Sequence, residues 1–110
     1  MLKFYYLSLA ILFEVAGTIS LKLSNGYTKI FPTIVMALSY AICFFFLSKC
    51  LNEFNSIGFV YAIWSGVGIV LISLLGVLFF NNIVDISGIL GLSLIIAGAI
   101  ILNLFSKMSQ

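Results

Sequence analysis

Charge is what this chain has least of. Among its 110 residues stand only five basic and three acidic side chains. A soluble domain carries about 25% charged residues, against 7% here, so the chain cannot cover a water-facing surface. Histidine is absent and the acids are scattered, which leaves no metal-ligand cluster. No two acids pair within one chain, and no serine or cysteine has a nearby base. Neither acid–base nor nucleophilic catalysis is supported, and no enzyme is expected. Cys43 and Cys50 fall on one expected helix, about 10 Å apart along its axis, too far to bridge each other. Low-complexity segments, linkers and soluble domains are missing too. Nothing calls for a cofactor, a metal or a nucleic-acid partner.

What is present is apolar: 64% of the residues are hydrophobic. They gather into four runs, with helices expected over about 4–21, 31–49, 57–80 and 86–105 of a single four-helix domain, 1–110. A spanning helix needs about 20 residues at about 1.5 Å rise each. Lipid offers the backbone no hydrogen-bond partners, so such runs must be helices, and a β-barrel would show shorter, alternating segments. The expected fold is an all-α membrane protein, four transmembrane helices per chain. An acid inside the first run argues against a cleaved signal peptide there.

The connectors carry the punctuation. "KLSNGYTKIFP" holds Asn25, Gly26 and Pro32, a turn followed by a helix-starting proline. "KCLNEFNSIG" is the second connector, and "FNNIVDISG" the third, with Asp85 placed to cap the fourth helix. On a four-span topology Lys3, Lys49 and Lys107 fall on one side, and Lys22 and Lys29 on the other. The positive-inside rule counts such residues, and three against two is almost no bias. Two readings stay open: the small excess fixes one orientation, or the chain inserts both ways and two copies meet antiparallel. Four helices make too small a bundle to enclose a gated pathway, and no internal repeat supplies a second half, so a second copy is expected.

Glu14 is the only charge in the first run. A charge at a helix centre costs from about 2.5 to well over 10 kcal/mol, and such residues commonly mark an ion or substrate path. Leu7, Ala10, Ile11, Glu14, Gly17, Thr18 and Leu21 follow three- and four-residue spacing and share one face. On that face the small residues Ala10 and Gly17 are expected to keep the surroundings of the acid open. The alternative is a structural carboxyl paired with a cation, the nearest in sequence being Lys22.

Aromatics join it. Tyr40, Cys43 and Phe44 share a face of the second helix, and Tyr61 and Trp64 one of the third. Desolvated aromatic faces attract cations, so with the acid they suggest a cation site; ordinary packing is the alternative. Gly66 and Gly68, mid-span in the third helix, permit a bend or a close approach. In the fourth helix Gly91 and Gly98 lie one heptad apart on one face, with Gly88 near it, a spacing that suits a dimerisation helix or packing within one protomer.

These residues together resemble the small multidrug resistance family of proton-coupled exporters. The likeness runs essentially end to end. It rests on "AILFEVAGT", "KLSNGYTKIFP", "YAIWSGVGIVLIS" and "GLSLIIAGAIILNL". The resemblance implies antiparallel, dual-topology homodimers, or related heterodimers, in the cell inner (cytoplasmic) membrane. It implies that Glu14 from both subunits binds either protons or a cationic substrate. Tyr40, Phe44, Tyr61 and Trp64 match the pocket aromatics, and Ala10, Gly17 and Thr18 the small positions of the first helix. The fourth helix, with Gly91 and Gly98, matches the dimer contact. Cys43 stands where the family often has a small hydroxyl residue near the acid.

Gly17, three residues after the acid, and Trp64-Ser65-Gly66 are similar to the multidrug, quaternary-ammonium branch rather than the guanidinium-exporting one. The second connector departs from the family pattern: it carries Glu53 and lacks the proline often found there. The expected function is proton-coupled antiport of lipophilic and quaternary ammonium cations. Two alternatives are export of a small quaternary ammonium metabolite such as choline, and a non-transporting subunit or half of an obligate heterodimer.

Overall fold

A computed structural model describes residues 2–109. Four helices follow one another: α1 (Leu2–Leu23), α2 (Ile30–Glu53), α3 (Ile57–Phe79) and α4 (Ile86–Phe105), then a 3₁₀ turn at Lys107–Ser109. They run 22, 24, 23 and 20 residues, about 30–36 Å at 1.5 Å per residue. All four are long and apolar enough to cross a membrane.

The helix ends show where sequence punctuation acts and where it does not. α2 does not stop at residue 49; it runs on through Lys49, Cys50, Leu51, Asn52 and Glu53. None of these breaks a helix, so the second connector shrinks to 54–56. There the Ser56 hydroxyl accepts the Phe59 N–H at 3.1 Å and caps α3. Asp85 caps α4 as expected, its Oδ1 accepting the Gly88 N–H at 2.8 Å. Pro32 is the third residue of α2, not the first. It is tolerated because N–H groups in the first turn have no intrahelical acceptor.

The first connector is a tight left-handed turn. Asn25, Gly26 and Tyr27 all have positive φ, at 49°, 68° and 68°. Asn and Gly take that conformation readily, whereas Tyr does not. Ser24, fully buried, holds it: its hydroxyl donates to the Leu21 carbonyl at 2.7 Å and accepts the Tyr27 N–H at 3.2 Å. At the end of α3 the Phe80 and Asn82 N–H groups both reach the Gly76 carbonyl at 3.0 Å, with Asn81 left-handed between them. The Asn82 side chain lies where a Cβ on Gly76 would stand.

Contacts divide the chain into two compact units, 1–53 and 54–110. In the first, α1 packs along α2. Leu7, Ala10, Ile11, Val15 and Gly17 are buried on α1, and Ser39, Cys43 and Cys50 on α2. Neither cysteine is in a disulfide. Phe46 stacks near Tyr6 and Phe13, centroids 6.3 and 6.2 Å apart. Lipid gives helices no hydrophobic reason to meet, so small residues and shape decide which faces touch. In the second unit Phe54 tilts against buried Phe59 at 5.1 Å. α3 meets α4 where a Cβ on Gly66 would lie 3.2 Å from Ile95 Cγ2. α4 itself buries none of its residues.

The Asp85 cap holds the start of α4 by one charge-assisted bond. Asp85→Ala is expected to cost about 1 kcal/mol, read as a lowered thermal unfolding midpoint in detergent, while Asp85→Asn keeps most of the stability.

Candidate functional site

Glu14 stands in the interior of α1, about 14 Å from its C-terminal end and about 18 Å from its N-terminal end. The residue is half-buried. Its Oε1 accepts a long hydrogen bond, 3.5 Å, from the Thr18 hydroxyl one turn away. Its Oε2 is buried and has no hydrogen-bond partner among the described residues. Lys22 lies eight residues on, about 12 Å along the axis. Geometry therefore gives no support to a structural carboxyl paired with that lysine.

α2 supplies the opposite wall. The Tyr40 hydroxyl meets the Thr18 hydroxyl at 2.7 Å. Its ring covers Gly17 so closely that an added Cβ would lie 3.2 Å from ring carbons. The expectation that Gly17 leaves open space beside the acid is corrected here: the space is filled by Tyr40. The physical reason is complementarity, since an absent side chain on one helix admits a ring from the next. Phe44 stacks on Tyr40, centroids 6.3 Å apart and planes 21° apart, and is 54% exposed. Ala10 and Cys43 are fully buried. The first unit thus gathers Glu14, Gly17, Thr18, Tyr40 and Phe44 into one linked group, with Ala10 and Cys43 buried on the same two helices.

Tyr61 and Trp64 belong to the second unit. They meet edge to face, centroids 5.7 Å apart at 89°. Tyr61 is 63% exposed. Gly68 is buried and Gly66 receives Ile95, and α3 stays helical through both. Nothing lies within 4 Å of a Cβ built at Gly91 or Gly98. This unit also has an apolar groove of about 290 Å³ between α3 and α4, with Ser73 and Ser93 among otherwise apolar walls. Without charge or convergent polar groups it is not the candidate site. No group of three or more His, Cys, Asp or Glu could hold a metal among the described residues.

Each residue of the group around Glu14 is visible in the sequence, but the bond that joins them across the two helices is not. The Thr18–Tyr40 bond spans 22 residues. Its only signal was a small residue, Gly17, beside a hydroxyl, Thr18, on the same face as the acid.

Comparison with known proteins adds a second line of observation. A family model described as Small Multidrug Resistance protein matches residues 2–95. The chain is 45% identical to the multidrug transporter EmrE of Escherichia coli, over 94% of each chain. It is 44% identical to the uncharacterized membrane protein YvaE of Bacillus subtilis, over 98% of this chain and 90% of that one. To the quaternary ammonium compound-resistance protein QacG of a Staphylococcus species it is 38% identical, over 96% and 98%.

The seat of Tyr40 on Gly17 is open to a double-mutant cycle. Gly17→Ala is expected to cost about 1–3 kcal/mol by overpacking, measured by thermal unfolding. In a Tyr40→Ala background the same change is expected to cost almost nothing.

Proposed function

The chain belongs to the Small Multidrug Resistance family, and from that premise we propose that it is a proton-coupled antiporter exporting lipophilic and quaternary ammonium cations. It is a multi-pass membrane protein, placed in bacteria in the inner membrane. Two of the relatives above carry the names of a multidrug transporter and a quaternary ammonium compound-resistance protein, not of enzymes.

One observation carries the proposal: a carboxyl far from either end of a membrane helix, with one oxygen buried and unpartnered. Such an oxygen is costly to keep unless something binds it in the working cycle. A proton and a lipophilic cation are the two ligands that neutralise a carboxylate there. Aromatic faces suit the cation, because they attract charge without demanding a shape. Tyr61 and Trp64 offer an edge-to-face pair, and Phe44 an exposed ring stacked on Tyr40. Thr18 stands beside the acid, while Ala10 and Cys43, fully buried, and Gly17, covered by Tyr40, are packing residues behind it rather than the substrate contacts the sequence suggested.

The working unit we propose is an antiparallel homodimer of single four-helix domains. α4 supports this, since it buries nothing within its own chain and its Gly91 and Gly98 are open. The near-even lysine distribution supports insertion in both orientations. Two Glu14 carboxyls then share one site, and they titrate as a pair. Both deprotonated, they hold one cation; protonated, they release it. Competition of two ligands for one site is reciprocal linkage, so proton entry drives cation exit. Alternating access comes from exchanging the shapes of two identical chains, with α3 flexing at Gly66 and Gly68.

The test is transport in proteoliposomes under an imposed pH gradient. Tetraphenylphosphonium and benzalkonium are expected to move against their own gradients, choline and guanidinium are not, and Glu14→Gln is expected to abolish the movement. Export of choline alone would replace the multidrug reading with a metabolite exporter. Export by Glu14→Gln would end the proposed mechanism.

A further inference from the structure

The hydrogens of the Glu14 group can be counted. A hydroxyl has one hydrogen to give and two lone pairs to receive. Thr18 gives its hydrogen to Glu14 Oε1. The 2.7 Å contact between Thr18 and Tyr40 then has only one donor left, the Tyr40 phenol. The chain of bonds runs from Tyr40 O–H to Thr18 O–H to the carboxylate, and each bond polarises the next. Once Glu14 carries a proton, its pull on the Thr18 hydrogen weakens and that hydroxyl can turn back to Tyr40. The relay therefore favours the charged acid over the neutral one.

Its geometry is fixed from three sides. The Tyr40 ring is seated on Gly17, where a Cβ would intrude, and Phe44 stacks beside it. Thr18 sits one turn from Glu14 on the same face of α1. We propose that Tyr40 is a positioning residue for Glu14, acting through Thr18 to hold the carboxylate in its charged, cation-binding form. This rests on the antiporter reading and deepens it, because it gives Tyr40 a task other than touching the cation. The other ionisable groups are few. α1 packs against α2, whose mid-helix ionisable side chains are Tyr40 and Cys43, while Lys49, Cys50 and Glu53 stand at its C-terminal end and Lys29 precedes it. On α1, Lys3, Tyr5 and Tyr6 lie near the start, and Lys22 near the finish.

The experiment is equilibrium binding of tetraphenylphosphonium to the purified protein in lipid nanodiscs, near pH 6 and near pH 9. Tyr40→Phe removes the hydroxyl and keeps the ring on Gly17. It is expected to weaken binding about threefold to tenfold near pH 6, the size of one hydrogen bond, and less than about twofold near pH 9, where fewer protons compete for the site. Thr18→Val is expected to do the same, Thr18→Ser to restore it, and the double variant to be no weaker than Thr18→Val alone. Equal weakening at both pH values, adding to that of Thr18→Val, would make Tyr40 a direct cation contact and overturn the relay. Unchanged binding in Tyr40→Phe, while Glu14→Gln abolishes it, would overturn the relay and leave the antiporter reading standing. Binding that survives Glu14→Gln, with no pH dependence in the native protein, would overturn the antiporter reading itself.

Discussion

A carboxyl group inside a hydrocarbon layer is the constraint on which the rest of this molecule turns. Its charged form costs several kcal/mol or more there, so each neighbour of Glu14 must either lower that cost or leave room for a ligand that does. Thr18 lowers it for Oε1. Oε2 has no partner among the described residues, and in the proposed mechanism the ligand takes that place. A fully satisfied carboxylate would have no reason to bind anything, and a wholly unsatisfied one would never give up its proton. The proposed antiport needs the half-satisfied state, in which proton and cation compete on comparable terms.

Packing in lipid obeys the same economy of contacts. Helices gain little by hiding apolar surface from tails that are equally apolar, so contact goes to faces that fit. α1 fits α2 where Gly17 admits the Tyr40 ring, and beside it the Thr18 hydroxyl of α1 meets the Tyr40 hydroxyl of α2. α4 seats Ile95 on Gly66 of α3 but buries none of its own residues. An element left bare in this way faces lipid or a second copy, and the proposed dimer uses its open glycines.

The parts visible in the sequence were those set by local chemistry. Glu14 stood out because no other charge lies within its run, and Asp85 because a capping acid precedes an apolar segment. The extension of α2 through Lys49 and Glu53 was hidden, because polar residues at a membrane boundary resemble a loop in composition yet break no helix. Tyr27 in a left-handed conformation was hidden as well, since it depends on a bond from its own N–H to buried Ser24. The seat of Tyr40 on Gly17 depends on the register of two helices. Periodicity names the face a residue is on, but not what lies opposite.

The account stands or falls on Glu14 being shared by proton and cation. The most direct measurement is proton release from the purified protein in weak buffer on adding tetraphenylphosphonium, with Glu14→Gln alongside. Release by the native protein, saturating with the cation and absent in the variant, is the expected result. A folded protein that binds the cation and releases no proton would contradict it.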